Sequence, residues 1–66
     1  MGRLPLAARR AALVDAALRV MVRDGLAAGT TRAIVAEAGM PLASFHYAFA
    51  SRDELLRELV HRVANA

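Results

Sequence analysis

The sequence predicts an all-α fold. Three observations point there. Hydrophobic residues make up 58% of the 66-residue chain, and many are Ala, the strongest helix former, against only 4 Gly and 2 Pro. Apolar residues recur at helical spacing in four successive stretches. Gly, Pro and capping residues fall between those stretches rather than inside them.

Met1 to Pro5 is expected to be a flexible arm. A long helix should start near Leu6 and run to about Asp24. Leu13, Ala17, Val20 and Met21 share one face, widened by Val14 and Leu18. Asp15 and Arg19 are placed to pair at i,i+4. Gly25 should end this helix, and Leu26 to Gly29 is a short connection. Thr30 offers a cap to a second helix over Thr31 to Ala38, with Ile34, Val35 and Ala38 on one face. That helix is too short to stand without the long one to pack on.

Gly39 marks where the chain leaves the second helix, and Pro41 suits the start of a third. Leu42, Phe45 and Phe49 then form an apolar stripe, with Ala43, Ser44 and Tyr47 expected to point outward. Helix, Gly turn and helix with small and hydrogen-bonding residues facing out is the pattern of a helix-turn-helix. Ser51-Arg52-Asp53-Glu54 reads as a capping box opening a fourth helix, striped by Leu55, Leu56, Leu59, Val60 and Val63. Asp53–Arg57 and Glu58–Arg62 are its expected i,i+4 pairs. No stop signal precedes Ala66, so the fourth helix is expected to be unfinished where the sequence ends. The domain organisation is therefore an arm over 1–5, a helix-turn-helix domain over 6–50, and over 51–66 the start of a helix leading to a further, missing domain.

Composition narrows the function. The net charge is +3, and every basic residue is Arg, whose fork fits phosphate and guanine better than Lys does. An Arg bias of this kind also arises from a GC-rich genome. With no Cys there is neither a disulfide nor a thiolate metal site, and His61 has no second ligand at metal spacing. No apolar run approaches the roughly 18 residues of a membrane span, so no membrane role and a cytoplasmic location are expected. The chain lacks a Gly-rich phosphate loop and a nucleophile–base arrangement, and is too short to wall off a pocket of roughly 300 Å3 or more. Neither enzymatic activity nor a cofactor is expected.

The ordered set Leu13-Val14, Ala16-Ala17, Met21, Gly25, Thr30, Ile34, Ala38-Gly39, Ser44-Phe45, Phe49, Ser51-Arg52 and Leu55-Leu56 resembles the N-terminal DNA-binding domain of tetracycline-repressor-family (TetR-family) regulators. The resemblance runs without a gap over about residues 9 to 60. It implies a sequence-specific DNA-binding transcriptional regulator, most often a repressor, whose full-length form is a homodimer on a palindromic operator. A small-molecule ligand would bind only in the missing domain, and the present chain alone would be monomeric or weakly associating.

Position by position, the resemblance implies that Thr31 contacts phosphate and Arg32 a base edge. Leu42 and Ala43 would face bases from the recognition helix, Ser44 would bond a phosphate, and Tyr47 would lie on the DNA face. His46 stands where the family has a phosphate-touching Tyr, and Arg52 where it has a phosphate-holding Lys. Pro41 replaces a usual capping Ser or Thr, and Val35 a usual Ala between the helices. Leu42 and Ala43 offer no hydrogen bonds, so readout would rest on Arg32, Tyr47 and apolar contact with thymine methyls. The alternative function is a helical protein-interaction module that does not bind DNA.

Overall fold

The computed structural model describes residues 4–65, and every regular element in that range is helical. The helices are α1 (Leu6–Asp24), α2 (Thr31–Ala38), α3 (Leu42–Ala48) and α4 (Arg52–Ala64), with one 3₁₀ turn at Leu26–Ala28. Of the expected arm, Met1 to Arg3 lies outside the described residues.

Helix α1 is the post on which the others lean, touching α2, α3 and α4. Its buried face is Leu13, Val14, Ala16, Ala17 and Val20. The small Ala16 and Ala17, both fully buried, let neighbouring backbones come close. Ile34 and Val35 from α2, Phe45 and Ala48 from α3, Phe49 just after it and Leu55 from α4 complete the core. Each fully buried Leu, Ile or Phe contributes about 1.5–3 kcal/mol relative to exposure. Leu18 was expected to widen the α1 stripe; it is instead 40% exposed, because no helix covers that flank.

The turns follow local chemistry. At Gly39 the backbone is left-handed, with φ 70° and ψ 34°. The Gly39 N–H donates to the Ala36 carbonyl and the Met40 N–H to the Val35 carbonyl, closing α2 as a Schellman motif. Gly25 ends α1 with φ 100°, also a region L side chains avoid. Thr30 Oγ1 accepts from the Ala33 N–H at 3.1 Å. Ser51 Oγ accepts from the Glu54 N–H at 3.2 Å. The Glu54 carboxylate reaches back to the Ala50 N–H at 2.6 Å, one residue earlier than a capping box closes.

Among the described residues, helix α4 runs from Arg52 to Ala64. The Asn65 N–H and the Asn65 side chain both donate to the His61 carbonyl, at 3.1 and 2.7 Å, and so satisfy a terminal acceptor. Ala66 lies outside the described residues. Two expected ion pairs also differ. Arg19 turns from Asp15 to Glu37, at 3.0 Å, because α2 brings a carboxylate that also receives Arg23 at 3.1 Å. Arg57 makes no ion pair with Asp53, whereas Arg62 meets Glu58 at 2.9 Å as expected. Among the described residues, no helix is long and apolar enough to cross a membrane.

Hydrogen bonds from Arg19 and then Arg23 hold the Glu37 carboxyl below the ordinary carboxylate range. Its contribution to stability is therefore complete above the unfolded value, about 4.3, and is lost as pH falls through the lower folded value. Glu37→Gln should lower the urea midpoint at pH 7 and leave it near that of the parent at pH 3. Equal midpoints at pH 7 would show that the α1–α2 bridge adds nothing.

Candidate nucleic-acid interface

Helix α3 packs against α2, and Arg52 at the head of α4 reaches the turn that precedes α2. From Ala38 to Arg52 the chain contains no acidic residue. Glu37, just before it, is neutralised by Arg19 and Arg23. A phosphate backbone approaching α3 thus meets no carboxylate from that stretch.

Thr31 is half-buried and Arg32 exposed at the start of α2. Arg32 makes no hydrogen bond or ion pair to another described residue, so its full fork is available. Ala43, His46 and Tyr47 are exposed along α3, Tyr47 to 69%. His46 lies edge-on to Phe45, with centroids 5.9 Å apart, while remaining open to solvent. That exposure keeps the His46 ring out of the core.

Three expected contacts sit differently from the sequence reading. Ser44 does not point outward: it is buried, and its hydroxyl accepts from Arg9 Nη1 at 3.1 Å. The cause is the 100° step of the helix, which turns Ser44 toward α1 rather than along the Ala43–Tyr47 flank. Leu42 is half-buried and packed against the core, so only part of its side chain remains on the outer face. Arg52 reaches inward: Nε donates to the Gly29 carbonyl at 2.6 Å and Nη2 to the Leu26 carbonyl at 3.2 Å. That fork fastens α4 to the turn preceding α2. The guanidinium carries five N–H groups, so its remaining donors are unspent.

The seven-residue α3 is not self-supporting. Pro41 at its N-cap supplies no side-chain bond. Its support comes from two residues the sequence reading passed over. Arg9 reaches Ser44, and Arg10 Nη1 donates to the Ala48 carbonyl at 2.7 Å while its guanidinium lies 4.3 Å from the Phe49 ring centroid. Arg10 also meets Glu58 of α4 at 3.7 Å. A signal for both was present. Arg9 and Arg10 stand one turn before Leu13 and Val14 on the buried face of α1, and a cation there must find acceptors.

Residues 13–59 match the family described as bacterial regulatory proteins, tetR family. The chain belongs to this family. The matched residues take in most of α1, all of α2 and α3, and α4 as far as Leu59. The HTH-type nicotine-responsive transcriptional repressor of Paenarthrobacter nicotinovorans is 45% identical over 49 residues, which is 74% of this chain and 25% of that protein. The chain thus spans about a quarter of the length of that curated relative. No solved structure matches it significantly. Within the matched region α3 is held in place by cations that α1 supplies from just before residue 13.

Proposed function

We propose that this chain is the operator-reading head of a transcriptional repressor. The observation that carries the reading is the exposure of Ala43, His46 and Tyr47 on α3, a helix held by α1 within a stretch free of acidic residues from Ala38 to Arg52, with Arg32 exposed and unpaired at the head of α2. In this reading Arg32 forks onto a base edge, and Ala43 with the outer part of Leu42 meets thymine methyls. Thr31, His46, Tyr47 and the unspent donors of Arg52 hold phosphates, while the buried Ser44 ties α3 to Arg9 from behind. Two such heads in a homodimer meet half-sites of a palindrome about 34–36 Å apart. Dimerisation and binding of a small-molecule effector belong to a domain outside this chain. The repressor role is supported by the name of the similar Paenarthrobacter protein.

A salt titration of binding to duplex DNA tests the reading. About five phosphate contacts give a log–log slope near −4 to −5, with non-specific dissociation constants of about 10⁻⁴ to 10⁻⁶ M at physiological salt. A flat salt dependence, or no binding at low salt, would favour a protein-interaction module instead.

A further inference from the structure

Arg9 occupies the seam between the first turns of α1 and the middle of α3. Nη1 donates to Ser44 Oγ at 3.1 Å and Nη2 to the Leu4 carbonyl at 3.3 Å. The guanidinium carbon lies 5.3 Å from the centroid of the Tyr47 ring. Its Nε is buried without a hydrogen-bond partner, and no carboxylate pairs with the group. A buried N–H left unpaired is a net cost, and an apolar side chain would close the seam without it. Stability alone does not account for an Arg here.

Geometry supplies another account. Ser44 and Tyr47 are one turn apart on α3, and one guanidinium engages both. Only a planar fork can donate in its plane to a hydroxyl while its face lies over an aromatic ring. Arg is donor-only, so the Ser44 oxygen is used as an acceptor and ties this turn of α3 to α1. The Tyr47 ring, 69% exposed, would otherwise sample several rotamers.

We propose that Arg9 is a positioning residue for DNA reading: it sets the roll of α3 and pre-orders Ser44 and Tyr47 before DNA arrives. This rests on the reading of α3 as the DNA-facing helix. Arg9 itself touches no phosphate in this arrangement. Its loss misaligns α3 against the bases without removing a neutralising charge from the DNA backbone. Discrimination between sequences falls, while the salt slope, which counts phosphates, stays the same.

The test uses the 66-residue chain, Arg9→Lys and Arg9→Gln. Duplexes selected from a random pool by the parent are compared with unselected duplex over a range of salt. Tyr47 is the only Tyr and there is no Trp, so tyrosine emission and ring-proton shifts report the seam directly. Both variants should change the Tyr47 signal and keep the parent's salt slope. Each should reduce the ratio of unselected to selected dissociation constants by about fivefold or more, the loss of reading of one base pair. Arg9→Lys retains an aliphatic stem in the seam and carries the comparison if Arg9→Gln does not fold. An unchanged ratio, or an unchanged Tyr47 signal, overturns the proposal. So does a slope flattened by about one, which makes Arg9 a phosphate ligand, and so does unfolding of both variants, which makes it a core residue. A parent that selects no sequence and shows no salt slope fails before any variant is made, and then the DNA reading itself falls.

Discussion

Phe45→Ala should unfold the domain or bring it to the edge of unfolding. Phe45 is 1% exposed, lies 5.8 Å from the Phe49 ring centroid, and belongs to the same core cluster as Leu13, Ile34 and Leu55. Removing a buried Phe side chain costs about 3–5 kcal/mol. A chain of 66 residues has a total stability of only about 3–10 kcal/mol at the usual margin per residue. No disulfide offsets the loss, since the chain has no Cys. Thermal melting followed by far-ultraviolet circular dichroism should show a midpoint lowered by at least about 12 °C, or no cooperative transition at all. DNA binding should vanish with it, because the exposed face of α3 exists only while its inner face is packed. A midpoint within about 4 °C of the parent would mean that α3 does not sit on α1 as described.

Arg52→Ala should produce two effects that are separable. The side chain donates to the carbonyls of Gly29 and Leu26, and hydrogen bonds involving a charged group contribute about 1.5–3 kcal/mol when well formed. Partial exposure of Arg52 lowers this to about 1–2 kcal/mol, or about 4–16 °C in the melting midpoint of a domain this size. If the unspent donors also hold a phosphate, affinity should fall evenly across sequences, and the salt slope should flatten by about one. Arg52→Lys separates the two, since it keeps the charge and loses the fork that spans two carbonyls. It should recover the slope but not the midpoint. A parent-like midpoint for Arg52→Ala would deny the clamp, and a parent-like slope would deny the phosphate contact.

The helices were legible because their signals are local. Thr30, Gly39 and Ser51 act through atoms within a few residues, and the stripes of α1 and α2 need only the helical period. What escaped the sequence was contact between distant residues. Arg19 leaves its i,i+4 neighbour for Glu37 because α2 crosses α1 at that height, which no single-helix pattern encodes. The outward phase given to Ser44 failed for a related reason. On a seven-residue helix packed on two sides, a small polar side chain at the boundary goes wherever a partner waits, and the partner was Arg9. Arg52 could be placed at the head of α4 but not aimed, since its acceptors are backbone carbonyls more than twenty residues away. Arg32, exposed and unpaired, is where the sequence placed it because nothing folds over the first turn of α2.

The attachment of α3 to Arg9 and Arg10 separates the unit a family comparison recognises from the unit that folds. The family match begins at residue 13, yet the bonds that seat α3 start at residues 9 and 10 and span sequence separations of 35 and 38. A head trimmed to start at Leu13 would retain Thr31, Arg32, His46, Tyr47 and Arg52, and would lose both anchors. Closing so long a loop is an entropic cost met only when the far end finds its partners. Such a fragment would hold every candidate DNA contact and still lack the surface that presents them.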